Sequence, residues 1–193
     1  MNLTADLDLG AGLRLRTLTS QDAELVVQAT STETGRALWA AHPVGPYTLN
    51  DAHAALRAWD PDAGTQTSYG IFDKDELLGA LGLMPDGPHS AELAYWVRPQ
   101  SRRQGLALRG IRAITPWAHQ DVGLTRIWLE IDPDNTASRR LAERAGYRYE
   151  QRLARHCRTW TSPEPENDTW HDCLIWTHTH PEPTPIPDEE DGQ

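Results

Sequence analysis

A strand-like segment of this chain runs directly into a helix-like segment, and the turn between them constrains the fold more than any other feature. Residues Ala91–Val97 form a strand-like stretch, and a helical pattern of apolar residues begins after Gly105. The turn itself carries Arg102, Arg103 and a glutamine. Because a helix N-terminus presents unpaired N–H groups and partial positive charge, it can hold an anion by backbone alone. The turn therefore predicts an anion site, and a solvated turn with arginines facing water is the alternative.

The remaining periodicity predicts an α/β fold. Apolar spacing and turn residues indicate, in order, a strand, two helices, three strands, a helix, a strand, a helix and two strands. That order predicts a mixed, mostly antiparallel sheet of seven strands flanked by about four helices, and not a doubly wound sheet. Pro116 falls inside the helix that follows Gly105, where we expect it to kink or break the helix.

The length of the chain favours one domain followed by a tail. A chain of 193 residues is long enough for one core and too short for two comfortable domains. We expect the domain to span residues 1–179. Residues 180–193 alternate proline with other residues and then become acidic, with five acids and no lysine or arginine. Such a segment cannot bury a core, so we expect it to be a disordered tail.

Charge and hydropathy limit the classes of binding partner and the cellular location that we expect. The formal net charge of -10 argues against nucleic acid as a partner and suits amine-bearing molecules. No apolar run is long enough to span a membrane, and the first residues lack the pattern of a secretory signal. A cytoplasmic protein is therefore expected, with Cys157 and Cys173 as free thiols. The sequence leaves open whether the protein forms a homodimer.

Two motifs carry a resemblance to a known family. The pattern RxxGxA, formed by Arg102, Gly105 and Ala107, resembles the acyl-CoA pyrophosphate motif of the GNAT superfamily of N-acetyltransferases. The segment IDPDNTASRRLAERAGYRYE resembles that superfamily's second signature, which is a strand, an asparagine, a helix and a glycine–aromatic pair. The resemblance runs from about Leu13 to Thr179 and is strongest to the branch of ribosomal-protein N-terminal (RimJ/RimL-like) acetyltransferases.

The resemblance implies acetyl-CoA as co-substrate and a GNAT-type domain whose two central strands splay apart. Backbone amides of the turn would hold the pyrophosphate, Asn135 would cap the next helix and touch pantetheine, and an N–H near Val97 would face the thioester oxygen. The cofactor-binding residues expected on this basis are Val97, Arg102, Arg103, Gln104, Gly105, Leu106, Ala107 and Asn135.

The resemblance also implies two catalytic residues. An α-amine has a reference pKa near ~8 and a lysine amine near ~10.4, so a base helps either to attack a thioester at neutral pH. Glu92, ten positions before Arg102, resembles the strand glutamate that serves as base; a glutamate that only orients substrate is the alternative. Many members place an acidic tyrosine seven positions after the motif asparagine, but that position is Ala142 here. Ser138 matches the serine used in the ribosomal-protein branch, and an ordinary polar residue in a first helical turn is its alternative.

The acceptor side is less defined. Trp39 and Tyr47 lie in the irregular segment between the first two helices, where this family builds its acceptor groove, although aromatic residues more often belong to a core. His171, Cys173, His178 and His180 have strand spacing, but nothing else completes a ligand set, so no metal is expected.

The leading hypothesis for function is direct transfer of an acetyl group from acetyl-CoA to a primary amine. The acceptor is either a protein or peptide N-terminus or a small-molecule amine such as an antibiotic, since acceptor loops carry the specificity. A non-catalytic acyl-CoA-binding regulatory module is the alternative, which the missing tyrosine favours and the retained Glu92 and Ser138 oppose.

Overall fold

Eight strands form one sheet in the computed structural model of the protein, with helices on both faces. The structure describes residues 2–32, 38–39, 42–43, 45–63, 65–159 and 169–180. The four helices are α1 (Ala23–Thr30), α2 (Leu49–Ala58), α3 (Leu106–Gln120) and α4 (Thr136–Arg144). The strands are β1 (Asp6–Gly10), β2 (Leu13–Thr17), β3 (Leu38–Trp39), β4 (His42–Pro43), β5 (Thr67–Asp73), β6 (Glu76–Pro85), β7 (Ser90–Val97), β8 (Arg126–Ile131), β9 (Arg148–Thr159) and β10 (Thr169–Thr179).

The sheet confirms the predicted fold class and corrects its strand count. Its order is β1-β2-β5-β6-β7-β8-β10-β9, and every neighbouring pair is antiparallel except β7 and β8. The prediction of seven strands missed β1, which pairs with β2 across a turn at residues 10–12. Leu7 and Leu9 alternate with aspartates in β1, so a period-two signal was present, but the segment is only five residues long and ends in a glycine. The short strands β3 and β4 form a separate pair.

The two faces of the sheet are covered by different helices. Along β7, Ala91 and Leu93 pack into the cluster on the α3 side, while Ala94 and Trp96 pack towards α1 and α2. Burial on both faces explains why the apolar residues of this strand do not alternate with polar ones. The central strands are therefore held firmly, and their ends can carry a site.

Pro116 does not end α3, contrary to one expectation from the sequence. The helix runs without interruption from Leu106 to Gln120. Ile111, Ile114 and Ala118 on either side of the proline are fully buried, so packing holds the helix across the missing N–H.

Cys157 and Cys173 lie side by side on β9 and β10, with their Cα atoms 5.7 Å apart and their sulfurs in contact, a Cα separation at which a disulfide can form. The sequence predicted free thiols and did not indicate that the two cysteines are neighbours. A register shift between His171 and Cys173 brings them together, although 16 positions separate them in the sequence. The His171 ring contributes a third potential metal-ligand atom within 4.8 Å, so the expectation that no metal binds stays a prediction.

The last described residues close the sheet against α3. The His180 N–H donates to the Thr125 carbonyl at 2.8 Å, and residues 181–193 lie outside the described part of the chain. The boundary at residue 180 and the disordered tail therefore stay predictions. Within the described ranges, no helix is both long and apolar enough to cross a membrane.

Three histidines meet where β10 passes the end of α3. His119 Nδ1 lies 2.6 Å from the Leu124 carbonyl, and His119 Nε2 lies 2.9 Å from His178 Nδ1. The rings of His119 and His180 are 5.3 Å apart, and Tyr147 packs on His178. Burial first, and then the neighbouring histidines, lower the pKa of both His119 and His178. A bond between two histidine nitrogens requires one of them to be unprotonated, so the cluster is stable in its neutral form.

We predict that the protein loses stability as pH falls through about 6.5, the reference pKa of histidine. The unfolded chain then binds protons that the folded cluster resists, so the free energy of unfolding decreases towards acid. Melting temperatures measured from pH 8 to pH 5 should show this decrease, and it should be smaller in His119→Gln, which cannot be protonated. His53→Gln, on the remote helix α2, should keep the pH dependence of the wild type. Parallel curves for wild type and His119→Gln would show that the cluster does not govern acid stability.

Candidate active site

The strands β7 and β8 diverge in the middle of the sheet. They pair in parallel at three positions, Ser90 with Arg126, Ala91 with Ile127 and Glu92 with Trp128. Beyond Glu92 the pairing stops, although β7 continues to Val97 and β8 to Ile131. The facing edges of both strands therefore lack ladder partners over several residues, which confirms the predicted splay. Backbone groups left in this way can pair with an extended ligand.

The backbone of Val97 is directed into this gap. The Arg98 N–H donates to the Leu78 carbonyl at 3.0 Å, while Val97 lies opposite Gly79. In an antiparallel ladder this pattern makes Val97 and Gly79 a non-hydrogen-bonded pair, so the N–H and C=O of Val97 point away from β6. Arg102 Nε donates to the Val97 carbonyl at 2.9 Å and fixes the turn against the end of the strand. The Val97 N–H is thus placed to donate to a bound group.

The turn before α3 is built to expose backbone donors. Gly105 precedes the helix with φ +76, no side chain caps the first turn, and Arg103 also has a positive φ of 64. A Cβ built on Gly105 would meet no heavy atom within 4 Å, so the space beside it is open. Glycine is therefore required by the backbone angle, and the open space is available to a ligand.

A cavity of about 670 Å³ joins the gap to the turn. It brings together Val97 from β7, Arg102, Arg103, Gly105, Leu106 and Ala107 from the turn and α3, and Asn135 and Ser138 from the start of α4. Gln104, the one remaining predicted cofactor residue, is exposed and not part of this lining, and its side chain donates to the Gln100 carbonyl at 3.5 Å. Asn135 Oδ1 accepts the Ser138 N–H at 3.0 Å, so Asn135 caps α4 as the sequence indicated.

The cavity lining includes further residues that the sequence analysis did not predict, and three of them bear on its chemistry. Arg140 and Arg144 are one helical turn apart on α4 and add positive charge to the wall. Their i, i+4 spacing behind Asn135 was the available signal. Tyr95 also lines the cavity, but in the sequence it is one aromatic residue among the apolar residues of β7. The cavity is therefore more basic than the acidic chain as a whole indicates.

Glu92 lies at the last paired position of β7 and does not line this cavity. It shares the opposite face of the strand with Ala94 and Trp96, towards α1 and α2. Burial raises the pKa of Glu92 to about 7, and the nearby carboxylates of Glu130 and Asp86 contribute further. Such a carboxylate takes up and releases a proton close to neutral pH, as a general base requires.

Of the two residues predicted to contact the acceptor, the structure describes the side chain of only one. Tyr47 is buried, with its ring 6.3 Å from that of Trp59, in the core between α2 and the sheet. Packing is its evident role. Trp39 belongs to β3, whose side chains lie outside the described part of the structure, so its role stays a prediction.

Comparison with known proteins agrees with this geometry. Residues 12–148 match the family model described as acetyltransferase (GNAT) domain. A Bacillus subtilis (strain 168) N-acetyltransferase, YnaD, is 27% identical over 109 residues, which cover 56% of this chain and 64% of that protein. The structure of RimL, a ribosomal L7/L12 alpha-N-protein acetyltransferase in complex with coenzyme A, superposes with a TM-score of 0.76 at 17% identity, covering 91% of this chain and 98% of RimL. The microcin C7 self-immunity acetyltransferase MccE, in complex with acetyl-CoA and AMP, has a TM-score of 0.71 at 18% identity, with coverages of 89% and 94%.

We predict that Gly105→Asp abolishes anion binding at the turn while leaving the fold intact. The new side chain would point a carboxylate into the space where the α3 N–H groups converge, and like charges repel there. Calorimetric titration with coenzyme A, the ligand that the sequence resemblance implies, should show affinity lower by at least about tenfold, or ~1.4 kcal/mol.

Gly123→Asp is the matched control for this variant. Gly123 has φ +81 and also faces open space, so it carries the same backbone strain and charge just after the opposite end of α3. Its affinity for coenzyme A should equal that of the wild type. Equal affinity in Gly105→Asp would place the anion site elsewhere.

Proposed function

This chain belongs to the GNAT acetyltransferase family, and from that membership we propose that it moves the acetyl group of acetyl-CoA directly to a primary amine. The observation that carries the proposal is the gap between β7 and β8. A basic cavity with exposed N–H donors opens on one side of the gap, and a carboxylate with a pKa of about 7 stands at its inner end on the other side. Such a site suits an anionic acyl donor and an amine acceptor that meet through the sheet.

The acyl donor would lie along the gap. In this proposal the N–H groups of the turn at Gly105 hold the pyrophosphate, and the arginines of α4 add charge to the phosphate side. The pantetheine amides replace the ladder partners that β7 lacks beyond Glu92. The thioester carbonyl then reaches the Val97 N–H, whose direction into the gap follows from the β6–β7 ladder. That donor would stabilise the negative charge that develops on the oxygen.

The amine would approach from the side of Glu92. The amine attacks the carbonyl carbon in its neutral form, and Glu92 takes the one proton that the nitrogen loses as the N–C bond forms, directly or through one water. The electron pair of the broken C–S bond passes to sulfur. Because Glu92 has a pKa of about 7, it is substantially ionised at neutral pH and still basic enough to act. Glu130 and Asp86 add negative charge that favours a cationic acceptor.

Two acceptor classes remain in the proposal, since the family holds both. RimL is described as acting on ribosomal protein L7/L12, and MccE confers self-immunity to microcin C7. A panel of N-terminal peptides and aminated antibiotics, followed by thiol release from acetyl-CoA, would identify the class. Acetylation of no amine by a protein that binds acetyl-CoA would favour the non-catalytic module instead. A cytoplasmic location stays part of the proposal.

We predict that Glu92→Gln lowers turnover by about 10²–10⁴-fold, the usual contribution of general-base catalysis. The amide keeps the shape of the side chain but cannot accept the proton. Wild-type kcat/KM should rise as pH passes about 7, where Glu92 loses its proton, and this rise should be absent in the variant. The deficit should shrink at high pH, where the amine deprotonates unaided. A loss below about threefold would remove Glu92 from the chemistry.

Stability and a neighbouring variant provide the controls. The folded state raises the pKa of Glu92, so its ionised form opposes folding above pH 7. Glu92→Gln should therefore melt no lower than the wild type at pH 8, which separates lost activity from lost folding. Glu130→Gln removes one of the two charges that raise the pKa of Glu92. Its pH–activity curve should move to lower pH with kcat largely retained.

A further inference from the structure

Tyr95 is a partly buried residue on the cavity wall whose hydroxyl is buried and makes no hydrogen bond of normal geometry with the described residues. Its Oη is inaccessible to solvent and unpaired, while its neighbours in the cavity include Val97 and Ser138. Two other buried phenols are satisfied, because Tyr69 donates to the Leu3 carbonyl at 2.8 Å and Tyr147 pairs with Thr115 at 2.9 Å. A buried polar group without a partner requires an explanation, and at Tyr95 the cavity supplies one.

The position of Tyr95 places this phenol at the reaction centre of the proposed function. Tyr95 lies three residues past the last β7–β8 pair and two before Val97, with its side chain on the α3 side of the sheet. Ser138, in the first turn of α4, lines the same cavity and lies near the Tyr95 hydroxyl. Burial raises the pKa of Tyr95, and the nearby Ser138 hydroxyl partly offsets this, so the phenol stays protonated and able to donate.

Many members of this family place a tyrosine seven positions after the motif asparagine, and this chain has no tyrosine at that position. The position seven residues after Asn135 is Ala142, which is fully buried and packed in the main core. A tyrosine at this position would have to displace core side chains, so the core accommodates only a small residue there. Tyr95 of β7, in contrast, lines the same cavity as Ser138 and brings a phenol to it from another element.

We propose that Tyr95 and Ser138 form a relay of hydrogen bonds to the sulfur of the acyl donor. The inference rests on the proposed function and assigns Tyr95 a role in that reaction. The Tyr95 hydroxyl donates to Ser138 Oγ, and the Ser138 hydroxyl, oriented in this way, donates to the sulfur. As the amine nitrogen bonds to the carbonyl carbon, the C–S electron pair passes to sulfur and the relay stabilises the thiolate. Water protonates the thiolate afterwards, so neither hydroxyl needs to ionise.

Tyr95 acts through Ser138 and is therefore a positioning residue, which the first test addresses without any acceptor. An alkyl thiol has a pKa near ~8.5. The relay should lower the pKa of the thiol of bound coenzyme A, measured by the ultraviolet absorbance of its thiolate against a desulfo-coenzyme A complex. Tyr95→Phe should raise that pKa by roughly one unit, a tenfold loss of thiolate. The four cavity arginines also favour the thiolate, but they are unchanged in the variant.

The second test is a double-mutant cycle on turnover. Tyr95→Phe should lower kcat by about 10- to 100-fold with little change in the KM for acetyl-CoA, below the ~10²–10³-fold typical of a direct donor. Ser138→Ala should cost at least as much, and the double variant should be no worse than Ser138→Ala alone, because the phenol acts through the serine. Tyr147→Phe is the matched control: it removes a buried phenol bonded to Thr115, so its effect should multiply with that of Ser138→Ala.

The outcomes separate the relay from the proposed function. If the wild type does not bind coenzyme A, both are wrong. If it binds coenzyme A and acetylates no amine, the thiol pKa still decides the relay. Equal thiol pKa values in wild type and Tyr95→Phe, or losses of Tyr95→Phe and Ser138→Ala that multiply, would overturn the relay while leaving acetyl transfer in place.

Discussion

The structure depends on one interruption, the end of pairing between β7 and β8 after Glu92. A sheet normally pairs all its buried backbone groups, and leaving several unpaired is costly. The chain offsets part of that cost itself, since Arg102 satisfies the Val97 carbonyl at the end of β7. The remaining donors and acceptors face the cavity, where an extended ligand can pair with them. The cavity therefore exists because the two strands diverge, and α3 and α4 form its other walls.

The sheet also separates two kinds of charge. On the side of α3 and α4 the cavity is lined by Arg102, Arg103, Arg140 and Arg144, and no carboxylate is among the lining residues found in the described chain. On the side of α1 and α2, Glu92 lies close enough to Glu130 and Asp86 for their charges to raise its pKa. In the proposed reaction, an anionic donor and a cationic acceptor would thus be attracted to opposite faces of one gap. The net charge of -10 conceals this division, because it averages over the whole chain.

Sequence patterns predicted the features that depend on local geometry. The turn at Gly105 was recognisable because a strand-like segment, a glycine and a helix-like segment follow each other closely. The cap at Asn135 was recognisable because an asparagine directly precedes a helical pattern. Features that depend on distant contacts were not visible. The proximity of Cys157 and Cys173 comes from a register shift between two strands, and the continuity of α3 through Pro116 comes from buried neighbours. The cavity position of Tyr95 follows from the splay of strands, which no residue of β7 encodes alone.

Tyr95 illustrates why burial and function are difficult to separate in a central strand. Its backbone follows the same parity as Val97, so its side chain faces the α3 side together with Ala91 and Leu93. Those two residues lie where β7 is still paired with β8, and they meet only core. Tyr95 lies beyond the point of divergence, where the same face of the same strand borders a cavity. One periodic pattern thus produces core on one side of Glu92 and a cavity wall on the other, and the position at which pairing ends decides where each residue lies.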